Sequence, residues 1–391
     1  MKTPIYYFTE QDPDYAIKGS RDPLGLQVIW QKEAKKLIPY LSTVSGNLHD
    51  FQILCLAYSL YGKPADSDFP KFFLRFEQVM AYVRFCFFED SGFNGINRVR
   101  KKVDDSSRVS ISNKTNDEIL SNQRAYGIWG KYNRPFRDMR LLEQPDFNKI
   151  FFDKVNALPT QEMQKFLLKL HKKEGFKTEV AELAFLADLL ALTSDERKLY
   201  QERILKVDQA NPYQNQLDLF FQNFVAEDFN LYQFIEDFRA SEFVQDENLQ
   251  HILNDIEQTE RLLSPLSRIF RYLQTKPLWS KQEIESNKFI TQWKYVGNYM
   301  FRANSEENKT KNHLAVSMQK NNWALIEDIS KRNKEVSAWR KGTAWITVGN
   351  DMLEVHHNEG QGFWENYNPQ TNYDNPYFLN TYLELHRQLY A

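Results

Sequence analysis

Apolar residues recur at spacings of three and four along most of this chain, the period of a helix that buries one face. Leu26, Ile29, Trp30, Ala34, Leu37 and Ile38 mark a first such helix, entered through the turn-forming run Arg21-Asp22-Pro23-Leu24-Gly25 and ended or kinked by Pro39. Ser45-Gly46-Asn47 opens a second, apolar at Phe51, Leu54, Cys55, Tyr58 and Leu60, which Gly62 and Pro64 close. A third, over 70–88, is apolar on nearly all sides, with only Lys71, Arg75, Glu77, Gln78 and Arg84 interrupting. Such a helix belongs in the middle of a domain. From 146 to about 289 helical stretches follow one another, among them PTQEMQKFLLKLHKK, EVAELAFLADLLAL and LQHILNDIEQTERLLSPLSRIFRYLQ. Leu158-Pro159-Thr160 and Leu192-Thr193-Ser194-Asp195 supply helix boundaries or caps, and Pro265 is expected at a bend or a first helical position.

Two places depart from the helical period. Val109 to Ile111 reads as a brief strand, and 344–355 (AWITVGNDMLEV) alternates apolar and polar residues around Gly349-Asn350-Asp351, a hairpin signal. The tail ends in a short helix begun near Asn375-Pro376, and the first twenty residues, polar and turn-rich, read as an irregular lead-in. At 391 residues the chain is too long for one small core. The expected fold is mainly α and multi-helical: a helical domain over 1–145, a helical array over 146–330, and a small α+β region over 331–391 with one β-hairpin near 344–356. No fixed-period repeat is present.

The aromatic share of 15%, with 29 Phe and 20 Tyr, is high enough to build cores from few residues, and also to present adhesive surfaces; cores are the favoured explanation. The only cysteines, Cys55 and Cys86, lie in apolar helical runs and read as buried structural thiols of a reducing compartment. The opening MKTPIYYFTEQDPDY lacks the apolar stretch of a secretory leader, and no window approaches 18 uncharged apolar residues. A cytoplasmic chain that meets no membrane is expected.

Several chemistries lack their residues. Neither GxxxxGK[ST] nor GxGxxG occurs, so phosphate cradles of the usual kinds are missing. None of the seven histidines sits in HExxH or beside CxxC; His356-His357 would point to opposite sides of a strand and reads as a solvated turn. The hairpin offers Asp351 and Glu354 without a following E-x-K, no nucleophile elbow is present, and acidic groups such as Glu182, Asp188 and Glu236-Asp237 read as solvated helix faces. No catalytic residue, metal ligand or cofactor is assigned.

Charge supplies the positive feature. The net charge is −2, yet between Arg98 and Arg140 eleven Lys or Arg stand against five Asp or Glu. Arg98, Arg100, Lys101 and Lys102 share a short basic helix, and Arg124, Lys131, Arg134, Arg137 and Arg140 follow among Tyr126, Trp129, Tyr132 and Phe136. If helical, Arg134, Arg137 and Arg140 line roughly one face. Interleaved cations and rings are the materials of a nucleic-acid surface, cations for phosphates and rings for bases; a winged-helix-like unit ending in RPFRDMRLLE would fit. The competing reading is pairing with the acidic helices of the second half or with an acidic partner protein, and it is the favoured one.

The segments RDPLGLQVIW…LIPYLSTVSG, RFEQVMAYVRF and ILSNQRAYGIWGKYNRPFRDMRLLE resemble bacterial proteins encoded beside ATPases, helicases or nucleases in antiphage-defence islands, and AWITVGNDMLEVHH and NPYFLNTYLELHRQL extend the resemblance. It implies a non-enzymatic accessory or scaffold subunit of a multi-protein defence complex, docked to an ATPase/helicase or nuclease partner, with DNA or RNA as a further contact. It assigns no catalytic residue. The alternatives are a stand-alone nucleic-acid-binding regulator, and an enzyme whose site is assembled from distant residues.

Overall fold

The computed structural model describes residues 22–62, 65–90, 92–206, 212–223, 229–294, 299–302, 304–357 and 367–391. The lead-in read over the first twenty residues lies outside them. Among the described residues the chain is mainly α, with seventeen α-helices and two small antiparallel sheets of two and three strands. Those within Met1–Ala34, Asn230–Ala240 and Val244–Tyr377 form a first compact unit, and those within Lys35–Phe229, Ser241–Phe243 and Phe378–Ala391 a second. The expected boundaries near 145 and 330 do not coincide with these: 145 falls inside the second unit and 330 inside the first. Each unit is completed by stretches distant in sequence, which local periodicity cannot report.

Helix α1 (Gln27–Leu37) stops two residues short of Pro39, as the proline requires. The second unit is built on α2 (Leu48–Tyr61) and α3 (Phe69–Phe87). Asn47 caps α2 by accepting from His49 N at 2.9 Å, and Gly62 ends it at φ 72°, a left-handed conformation natural to glycine. Helix α3 is central, as its all-round apolar pattern predicts, with Phe72, Phe73, Phe76, Val79, Met80, Tyr82 and Val83 buried. The Tyr58 ring stacks 4.2 Å from Phe69 and 5.3 Å from Phe136, so here the aromatic surplus makes core.

Next come α4 (Ile96–Asp105), β1 (Arg108–Ile111), α5 (Gln123–Tyr126), α6 (Ile128–Asp138), α7 (Phe147–Asn156) and α8 (Thr160–Leu170). Strand β1 stands where a strand was read, but its partner is the distant β2 (Phe176–Glu179), with Val109 opposite Thr178. Because β1, the one strand between α4 and α6, pairs beyond the segment, no hairpin precedes RPFRDMRLLE and the winged-helix-like unit is not formed; α6 leads through the 3₁₀ turn Leu141–Glu143 into α7. The run read as helix over 179–192 is a 3₁₀ helix, Val180–Leu190. Its buried residues Val180, Leu183, Leu186 and Leu189 step by three, the period of that helix and not of an α-helix. Helix α9 (Ser194–Tyr200) starts at a capping box between Thr193 and Glu196, continues into a π-helical turn over Gln201–Leu205, and is followed by α10 (Pro212–Asn223).

The first unit contains α11 (Leu231–Ala240), α12 (Glu247–Leu273), α13 (Lys281–Glu285), α14 (Lys288–Trp293), α15 (Glu306–Gln319) and α16 (Asn322–Trp339). Pro265 lies inside α12, not at its first turn, and cannot donate to the Arg261 carbonyl. The hairpin is present as β4 (Ile346–Gly349) and β5 (Met352–Val355). Asn350 and Asp351, at φ 48° and 54°, make the two-residue turn whose twist matches the strands. A third strand, β3 (Leu278–Ser280), pairs with the other edge of β5. Finally α17 (Leu379–Tyr390) belongs to the second unit: Tyr382 Oη donates to Leu205 O at 3.1 Å, and Gln388 Nε2 to Gly46 O at 2.8 Å. No described helix is long and apolar enough to cross a membrane.

Candidate interaction surface

Helix α4 turns Val99 inward and leaves Arg98, Arg100 and Lys101 exposed. Lys102 folds back instead: it is half-buried, and its Nζ donates to Asp117 O at 2.7 Å, so it is not a free surface cation. Desolvation lowers its pKa. Arg98 Nη1 reaches Glu118 O at 3.4 Å, and the Arg100 guanidinium stands 5.9 Å from the Phe85 ring.

Helix α6 is two-faced. Ile128, Tyr132, Pro135 and Phe136 are buried, while Arg134 and Arg137 are exposed, as is Arg124 on α5. Arg140 lies beyond α6, at φ 52°, so the three-residue repeat of arginines is not one helical face. Three of the four rings read among the cations belong to the core, Phe136 wholly buried among them. Tyr132, 2% exposed, meets Phe51 edge-on at 5.0 Å and accepts a hydrogen bond from Asn47 N at 3.0 Å. Trp129 is half-buried against Phe69 and Phe73, 5.7 and 5.6 Å away. The surplus of rings that suggested stacking is needed to seat α6 on α2 and α3. Lys131 is half-buried too, and desolvation lowers its pKa.

Of the candidate residues, Arg98, Arg100, Lys101, Arg124, Arg134, Arg137 and Arg140 remain at the surface, joined by Arg108 and Lys114 and offset by exposed Asp104, Asp105 and Asp138, with Tyr126, 60% exposed, as the accompanying ring. Among the described residues their ion pairs are local ones between exposed groups, Arg134 with Asp138 at 3.6 Å and Arg140 with Glu143 at 4.0 Å. Pairs of that kind neutralise little and are readily exchanged for a better partner.

Beneath this surface lies a polar core that periodicity did not reveal. Glu77, on α3, is buried; its Oε1 accepts from Ile128 N at 2.6 Å and its Oε2 from Gln123 Nε2 at 2.8 Å. A Cβ on Gly127 would stand 2.4 Å from Glu77 Oε1, which is why that position is glycine. Burial pushes the Glu77 carboxyl up to about 7, and burial also raises Asp50. Arg84 donates from Nη1 to Asp50 at 2.6 Å and from Nε to Asp90 at 2.7 Å, and its buried Nη2 finds no acceptor among the described residues. A cavity of about 10 Å³ is lined by Asp50, Glu77, Arg84 and Phe93, among others. It holds one water at most. Ionisable groups therefore gather here as an assembled enzyme site would need, without room for a substrate. Their signal in the sequence is the set of charged residues interrupting an otherwise apolar α3.

The other candidates are unremarkable chemically. Glu182, Asp188 and Glu236 are exposed, as read, whereas Asp237 is half-buried and accepts from Gln233 Nε2 at 2.7 Å. Cys55 is buried and Cys86 half-buried, and burial raises both thiols, which disfavours the reactive thiolate. His356 Nε2 lies 2.8 Å from Thr347 Oγ1, and His357 packs 4.1 Å from the Trp345 ring. Among the described residues no three His, Cys, Asp or Glu side chains come together as a metal site would need. No family model matches the chain, and no curated protein or solved structure is similar to it.

Proposed function

We propose that this chain is a non-enzymatic accessory subunit of a bacterial antiphage-defence complex, docking through the cations of 98–140 onto an acidic face of an ATPase/helicase or nuclease partner. One observation carries the reading: nine cations stand exposed on the segment 98–140 of the second unit, and among the described residues their ion pairs are local. Such a surface recovers its electrostatic energy by meeting an anionic macromolecule. The inward placement of Trp129 and Tyr132 favours a protein over single-stranded nucleic acid, which binds through exposed stacking rings. The resemblance to proteins of defence islands supplies the setting.

The test is affinity capture of the tagged full chain from its native host, beside a variant carrying Arg134→Glu and Arg137→Glu. An ATPase, helicase or nuclease should accompany the wild type and be lost from the variant. Recovery of the wild type only as a free monomer overturns the reading. Fluorescence anisotropy with labelled duplex and single-stranded DNA decides the rival: tight, steeply salt-dependent binding abolished by the same reversals would make nucleic acid the partner.

A further inference from the structure

Arg75 is the odd member of α3. Its side chain is 4% exposed, and a buried guanidinium ordinarily has a carboxylate against it. Arg75 has none within ion-pair distance among the described residues. Its Nε donates to Leu170 O at 3.0 Å, and its Nη1 to the Asn113 side-chain oxygen at 2.6 Å; the Asn113 nitrogen in turn donates to Lys71 O at 2.9 Å. A guanidinium has five N–H donors, so among the described residues these two bonds leave one N–H on Nη1 and both on Nη2 without a partner.

Arg75 forms part of the lining of a pocket of about 430 Å³, the size of a small-molecule site. Lys71, one helical turn earlier on α3, and Lys173, in the turn before β2, line it as well and are exposed, as is His171. Among the described residues Asp68 is the one acidic side chain on its wall, with the Asp66 carboxylate behind it accepting from the Tyr61 hydroxyl. Three cations against Asp68 on the wall and Asp66 behind it leave the site net positive. The wall is also aromatic: Phe72 stands 4.9 Å from the His171 ring. A fork with free donors, with two exposed ammonium groups on the same wall, matches the tetrahedral oxygens of a dianion better than a planar carboxylate alone. The volume left beyond one such anion, and the rings beside it, suit an organic group attached to it.

From this geometry we propose that the pocket at Arg75 binds a small phosphomonoester, with Arg75, Lys71 and Lys173 holding the phosphate and the Phe72 and His171 rings facing the organic part. None of these residues belongs to the docking surface, so this proposal and the proposed function stand or fall separately.

Isothermal titration of the full chain with inorganic phosphate and with a nucleoside monophosphate, ionic strength held constant with sodium chloride, tests it. Saturable binding is expected, tighter for the monophosphate. Arg75→Gln should weaken it roughly tenfold or more, the usual scale for losing charged hydrogen bonds. Lys71→Gln and Lys173→Gln are surface changes that leave the fold intact; each should weaken binding several-fold, and the double variant more. Absence of saturable heat with both anions overturns the proposal, as does wild-type affinity in the Lys71→Gln/Lys173→Gln variant. Equal affinity for phosphate and monophosphate overturns the ester and leaves an inorganic-anion site.

Discussion

Glu77 in the second unit and Glu260 in the first are both carboxylates removed from water, but different groups surround them. Glu260, on α12, is satisfied entirely by neutral donors: the backbone N–H groups of Asp374 and Asn375 at 2.6 and 2.9 Å, the Asn375 amide, and the Ser264 hydroxyl. It fastens one loop to one helix. Glu77 also accepts from neutral donors, on α5 and at the start of α6, yet it shares its cavity with Asp50 and the Arg84 cation. It registers three helices, and it feels the charge of the neighbouring Asp50 carboxylate. Burial raises the pKa of both. One clasps a loop to a helix and the other joins three helices, and with both pKa values raised the strength of each depends on protonation.

The largest effect should come from unbalancing the ionic side. Arg84→Met leaves Asp50 and Asp90 without their cation and should cost about 3–5 kcal/mol in urea unfolding; a loss below about 1 kcal/mol would mean that the pair contributes little. The next concerns pH. The Glu77 carboxyl titrates near 7 when folded against an ordinary 4.5, so between those values the folded state holds the proton that the unfolded state has released. Stability from this group is therefore fully present below about pH 4.5, and is lost as pH rises through 7, by about 3 kcal/mol in all. Glu77→Gln should flatten that dependence in chemical unfolding at pH 5 and 8. An unchanged slope would assign it elsewhere, with Asp50, shifted in the same direction, the first suspect.

Gly127→Ala forces a methyl into the Glu77 carboxylate and should destabilise by about 1–3 kcal/mol, whereas Gly62→Ala, with open space around it, meets only backbone strain; equal effects would remove the steric account. Smallest of all, Arg134→Glu with Arg137→Glu should move stability by about 0.5 kcal/mol or less, because both side chains lie in water. A larger loss, seen as a shifted unfolding midpoint, would mean that these arginines hold the fold together.

The helices of the second unit were legible because each announces itself locally. Asn47 and Gly62 bracket α2, Thr193 within Leu192-Thr193-Ser194-Asp195 starts α9, and the apolar α3 declares a central position. The Asn350-Asp351 turn marked its hairpin equally well. What escaped depends on partners far along the chain. Strand β2 is four residues long and exists only because β1 lies against it, and β3 only because β5 offers an edge. The 3₁₀ path of Val180–Leu190 was in view as a three-residue spacing, but longer apolar runs are conventionally read at 3.6. In the basic segment the charges were legible and the rings were not. Tyr126 and Tyr132 are the same residue type a few positions apart, and only the seat of α6 against α2 decides that one faces water and the other the core.

The two units are interleaved in sequence, and that has a consequence for how the chain is made. Residues 35–229 leave the ribosome before most of the first unit exists, but they wait for α17, which supplies Tyr382 to the Leu205 carbonyl and Gln388 to Gly46. Everything from 244 to 377 is translated in between. The second unit, the one that carries the cations, is begun early and closed late. Its half-finished form, with the apolar face of α17 still to come, is what chaperones would meet first. A fragment ending at 377 would preserve every residue of 98–140 and still lack the helix that closes the unit bearing them.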